Sequence, residues 1–322
     1  MNNRKGIKLA YIFAVLNAVI IGFSFLFAKI ALDQAHPLDT LTYRFAVSFA
    51  VLSIPVMLGL VKLNYRGKPL AKVLLLATTY PLGFFTLQAY GLQHTSSAEG
   101  GILYAFTPIV TMLFASMFLK EGTNVLQKIS IFLSVFGVLF IFIMKGSTLD
   151  WSNMTGIILL FLTCVAFAGY SVLARSLSKQ FSPVEISYFM LGIGFATFLV
   201  ISLTNHASEG TFEAFLSPLS KPSFIVAILF LGLISSLVTA LTGNYVLSRI
   251  EASKMSVFTN LSTIVSIAAG ALFLGEKVTV YHLIGSVMIL AGVIGTQYLG
   301  RYKVALPKVE VDRVKGKRVN GR

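Results

Sequence analysis

The chain has 322 residues, 56% of them hydrophobic and 12% charged, with a formal net charge of +14 and a mean hydropathy of +0.83. Soluble domains carry roughly 25% charged residues, so the composition excludes a water-soluble enzyme and a disordered chain. The single cysteine, Cys164, excludes a secreted disulfide scaffold and a cysteine-based metal site. What remains is an integral membrane protein.

A helix needs about 20 mostly apolar residues to cross ~30 Å of hydrocarbon. Taken in chain order, that ruler predicts ten spans near residues 9–28, 41–60, 71–92, 98–119, 129–144, 154–173, 184–203, 224–247, 256–274 and 280–299. Short connections and two tails use up the rest, leaving no room for a soluble domain. Arg4, Lys5 and Lys8 before the first run also suit a signal peptide. The apolar stretch outlasts the ~7–15 residues of a signal core, however, and no small-x-small site closes it, so the span reads as retained.

Charge tests the count. With the amino terminus inside, the cytoplasmic segments hold 21 of the 26 lysines and arginines; the far side has Lys29, Arg44, Lys145, Lys221 and Lys277. This asymmetry is the positive-inside pattern and puts both termini in the cytoplasm. The tail, residues 300–322, has eight basic residues against Glu310 and Asp312. It reads as an anchor near anionic headgroups and lacks the interleaved aromatics and fold of a nucleic-acid site.

Self-comparison reveals a duplication. At an offset of 155, Phe118-Leu119-Lys120-Glu121 matches Phe273-Leu274-Gly275-Glu276, Val125 matches Val280, and Gly137-Val138 matches Gly292-Val293. At an offset of 146, Ala28-Lys29 matches Ala174-Arg175, Gln34 matches Gln180 and Pro37 matches Pro183; a longer second-half loop, 205–222, accounts for the difference. The copies are residues 9–144 and 154–299. Five spans per copy is an odd number, so the copies cross the membrane in opposite directions, an arrangement recurrent in secondary transporters.

With Thr95, Ala98, Pro108 and Glu121 in the first copy and Ala252 and Glu276 in the second, the chain resembles an EamA-type member of the drug/metabolite transporter superfamily over residues 9–299. Thr263 departs from the proline that Pro108 supplies in the first copy. The resemblance implies an all-α membrane fold of ten helices in two inverted five-helix repeats. It also implies export of small metabolites such as amino acids, with spans one, three, four, six, eight and nine around a central cavity.

Polar residues at membrane depth are costly and mark the place to look for chemistry. No Asp, Glu, Lys or Arg falls in the central parts of the spans as drawn; Arg44 is read as a span-end charge. The candidate substrate contacts are therefore uncharged: Asn17, Tyr80, Gln88, Tyr104, Thr107, Thr111, Tyr170, Asn244, Asn260 and Thr263. Tyr104, Thr107 and Thr111 have i, i+3, i+7 spacing and would share one helix face, suited to a neutral or zwitterionic solute. Bonding between helices is the plainer alternative for each. Glu99, at the start of span four, is the candidate for coupling, or else a helix-start carboxylate. Glu121 and Glu276 read as caps of the following helices, and Pro55, Pro81 and Pro108 as kinks. Ala291 and Gly295 permit close helix contact, with a homodimer along span ten as the further option.

Catalytic readings fare poorly. His36, His94, His206 and His282 lack metal-ligand spacing, and no phosphate-cradling loop is present. The expectation is a plasma-membrane transporter, prokaryotic in style, exporting an amino-acid-like solute by alternating access. It needs no metal or cofactor, and its partners are a small-molecule substrate and the lipid bilayer. The alternatives are an uncoupled channel or facilitator and a membrane-embedded enzyme.

Overall fold

A computed structural model describes residues 2–94, 103–144, 154–273 and 278–299, and these are helices and connecting turns without a strand. The helices are α1 (Asn2–Leu32), α2 (Pro37–Met57), α3 (Leu70–His94), α4 (Thr107–Leu119), α5 (Val125–Met144), α6 (Met154–Leu177), α7 (Pro183–Glu209), α8 (Pro222–Arg249), α9 (252–273) and α10 (Val280–Leu299). Among the described residues eight of them are long and apolar enough to cross a membrane, while α4 is shorter and α9 is broken by a tight turn at Phe258–Asn260. Large apolar side chains such as Ile12, Phe132, Phe136, Val200 and Val287 stand exposed on the outer faces. Such a belt suits lipid rather than water.

Helix starts follow local chemistry. Ser182 caps α7 by accepting from the Glu185 amide (3.2 Å), while Glu185 accepts from the Ser182 amide (2.8 Å), a reciprocal capping box with Pro183 just inside it. Gly210, at φ +66, closes the same helix in a left-handed conformation. The first copy repeats the start: His36 caps α2, Pro37 opens it, and Asp39 stands where Glu185 does. Thus α2 begins a turn earlier than the apolar run suggests. That moves Arg44 two turns inside the helix, correcting its placement at a span end.

The packing shows how the copies relate. Helix α2 lies against α7 and α5 against α10, each helix beside its own counterpart; α1 packs on α8 and α9, while α6 packs on α3 and α4. Exchanging the copies reproduces this list, the mark of a pseudo-two-fold relation. Counterparts also run antiparallel. Asp39 at the start of α2 meets His206 (3.0 Å) and Ser202 at the end of α7. Glu185 at the start of α7 meets Lys68 (2.7 Å) and the Asn64 amide (2.9 Å) beyond the end of α2. Along the other pair, Asn124 at the start of α5 donates to the Leu299 carbonyl at the end of α10 (2.8 Å).

The α5–α10 seam explains the Gly-Val match. A Cβ on Gly137 would fall 2.8 Å from the Gly285 carbonyl oxygen, and one on Gly292 only 2.5 Å from that of Ser130. Gly295 likewise faces Ser130. Gly285, Gly292 and Gly295 are thus occupied within this chain, while Ala291 stays exposed.

Candidate functional site

Between the copies lies a cavity of about 860 Å³, partly continuous with open solvent. Its wall is drawn from α1, α2, α3, α6, α8 and α9, with Tyr104 from the turn ahead of α4. Both halves therefore build it, as do the spans that the resemblance implies, with α2 in addition.

Breaks in two helices shape the wall. The residue before a proline is pushed from helical to extended backbone, and Tyr80, ahead of Pro81, adopts φ −152 and ψ 116 in a widened, π-helical stretch, Thr78–Gly83. This break turns the Tyr80 ring against Tyr170, stacked with centroids 4.5 Å apart, and beside Phe85 at 5.0 Å. In the second copy α8 carries its own π-helical stretch, Phe230–Val238, at the equivalent level. Such bulges free backbone groups and recur at functional sites. Pro108 opens α4 within its first turn, directly after the turn at residues 105–106, and Pro55 lies two residues from the end of α2.

Five of the sequence candidates line the cavity: Asn17, Tyr80, Gln88, Tyr104 and Tyr170. Asn17 accepts from the Thr242 hydroxyl (2.6 Å), which ties α1 to α8. Asn244 stands just behind the wall, accepting from the Tyr170 hydroxyl (3.0 Å) and donating to Ser187 (2.9 Å); it orients Tyr170 rather than facing the space. Asn260 donates to Ser134 of α5 (2.7 Å) and is buried. Thr263 is half-buried outside the lining. Thr107 and Thr111 are fully buried where α4 packs on α6, Thr107 donating to the Tyr104 carbonyl (2.6 Å). A turn at residues 105–106 separates Tyr104 from α4, and only Tyr104 of the three lines the cavity. Glu99 lies outside the described residues, as do Thr95, Ala98 and Glu276.

Glu121 does cap a helix, but one in the other copy. Its carboxylate accepts from the Ala252 amide at the start of α9 (3.0 Å) and lies 3.4 Å from Arg175 Nε. Burial pushes this carboxyl above the usual glutamate range, outweighing the pull of Arg175. The helix that follows in sequence is served by Asn124, which accepts from the Gln127 amide (2.8 Å).

The residue that sequence reasoning set aside is Arg44. Only 5% exposed, it lines the cavity, donating from Nε to Ser236 (2.6 Å) and from Nη2 to Ser235 (3.0 Å). Its guanidinium lies over the Phe85 ring, 4.2 Å from the centroid. Phe84, Phe167, Phe258, Thr239 and Thr259 line the same cavity. No Asp or Glu among the described residues belongs to the lining. Among the described residues there is no cluster of His, Cys, Asp or Glu suited to a metal.

Comparison with known proteins places this arrangement. The EamA-like transporter family model matches twice, over residues 8–143 and 154–298. The chain is 46% identical to the uncharacterized transporter YcxC of Bacillus subtilis over 89% of its length and 92% of that protein. It is 28% identical to the uncharacterized transporter YyaM of the same organism, over 88% of this chain and 92% of that one. A WAT1-related chloroplastic protein of Arabidopsis thaliana is 26% identical over 83% of this chain and 65% of that protein. A solved crystal structure shares the fold with a TM-score of 0.73 at 16% identity, covering 91% of this chain and 99% of that one.

Proposed function

The chain belongs to the EamA-like transporter family, and from that premise we propose that it is a secondary transporter exporting a small metabolite across the plasma membrane by alternating access. The carrying observation is a cavity walled by both of two antiparallel copies. When the copies exchange conformations, a space open to one face becomes open to the other. Both termini lie in the cytoplasm, following the lysine and arginine asymmetry. Asn17, Tyr80, Gln88, Tyr104 and Tyr170 contact the solute, and Asn244 holds Tyr170 in place for it.

Reconstitution tests this reading. Purified protein in liposomes is assayed for uptake of labelled solutes from a panel of amino acids and short organic acids, with and without the same solute preloaded inside. The expected result is saturable uptake accelerated by preloading, with Tyr80→Ala and Tyr104→Ala raising the half-saturation concentration severalfold. A flux that rises linearly with concentration and ignores preloading favours a channel and ends the proposal.

A further inference from the structure

We propose that Arg44 makes the cavity a site for organic anions, binding the carboxylate of a small acid whose apolar or aromatic body lies against Tyr80, Phe84, Phe85 and Phe167. The inference sharpens the transporter reading by naming the substrate class. A guanidinium carries five N–H donors and is always charged. Ser235 and Ser236 take two of those donors and supply no charge. Among the described residues no carboxylate pairs with Arg44, and Asp39, one turn away on α2, is engaged by His206 and Ser202. A cation this deeply buried is normally paired, yet Arg44 has no acidic partner among the described residues and lines an open cavity.

The neighbours favour an acid with an apolar body. Arginine is the side chain suited to planar, two-point recognition of a carboxylate. Ser235 and Ser236 fix the fork, and Phe85 supports its face, so little freedom is lost on binding. Among the described residues the lining offers no Asp or Glu as an ionic partner for an ammonium. A cationic solute would face Arg44 across the same space. A simple zwitterion could use the guanidinium, but among the described residues its ammonium would meet only uncharged acceptors: ring faces, hydroxyls and amide oxygens.

Calorimetric titration of the purified full chain tests the assignment without transport. The probes are 3-phenylpropionate, benzoate and hexanoate, each paired with its primary amide, and chloride as a bare anion. At least one acid should bind about tenfold or more tightly than its amide, the scale of a charge-assisted hydrogen bond pair, and chloride should compete poorly. Arg44→Gln should abolish the acid-over-amide preference, whereas Arg44→Lys should keep a weakened form of it. If no acid is preferred over its amide, if chloride competes as well as the acids, or if folded Arg44→Gln keeps the preference, the proposal fails. Should Arg44→Gln not fold, the acid-amide comparison on the native chain and Arg44→Lys still decide. Acid preference without any flux would sink the transporter reading and leave this site standing; saturable flux without acid preference would do the reverse.

Discussion

Hydrogen bonds at single buried residues set much of the cavity's geometry. Asn244 is 1% exposed and joins Tyr170 on α6 to Ser187 on α7. Removing it leaves a buried hydroxyl without its acceptor, which costs about 1–3 kcal/mol. Asn244→Ala should therefore lower the thermal midpoint by several degrees. A thiol-reactive dye provides the readout, since Cys164 is buried and reacts only on unfolding; an unchanged midpoint would show that the bond is not made. Glu121 offers a pH test. Its carboxyl titrates above the unfolded range because of burial, so between the two values the folded chain holds more protons than the unfolded one. Stability must then fall as pH rises through that window, and Glu121→Gln should flatten the slope. Arg44 was legible in part: Pro37 and Asp39 announce a helix start as Pro183 and Glu185 do. Reading the span from the apolar run alone hid it, because a hydropathy ruler sees length and not caps.

Among the elements, the α5–α10 seam depends on backbone contact rather than on large side chains. Gly292→Val places a branched side chain where a Cβ alone meets backbone oxygen at 2.5 Å, and overpacking of this kind costs typically 1–3 kcal/mol. The same dye assay should show a clear drop for Gly292→Val and almost none for Val287→Ala, whose side chain is 65% exposed. Equal effects would contradict the seam. Span positions were readable because ~20-residue apolar runs follow directly from bilayer thickness. Polar partners were not, for periodicity says which residues share a face but not which helix that face meets. Asn260 turns to Ser134 of α5, and a turn at residues 105–106 parts Tyr104, on the cavity wall, from the buried Thr107 and Thr111. Pro81 breaks a helix in mid-span and presses Tyr80 into the cavity.

For the molecule as a whole, the two copies form one device about an antiparallel core. Acidic residues at equivalent positions, Asp39 and Glu185, tie α2 and α7 together at opposite ends, so the halves are fastened symmetrically at both faces. The duplication itself was plain in the sequence, carried by Glu121 and Glu276 and by Pro37 and Pro183. The counterpart-to-counterpart packing was not, since it belongs to tertiary contact alone. Reporter tags at the two ends should both be protected in sealed right-side-out vesicles. Exposure of one end only would break the five-plus-five arrangement.

Access to the cavity from both faces of the bilayer is the sharpest requirement. In a Cys164→Ala background, a single thiol introduced by Gln88→Cys sits on the cavity wall. Sealed vesicles of each orientation are treated with a membrane-impermeant thiol reagent, and the labelled fraction is followed over time. Labelling from both sides, at rates that a bound solute shifts in opposite directions, is the predicted outcome. Labelling confined to one side under every condition would contradict a cavity that changes the face it opens to.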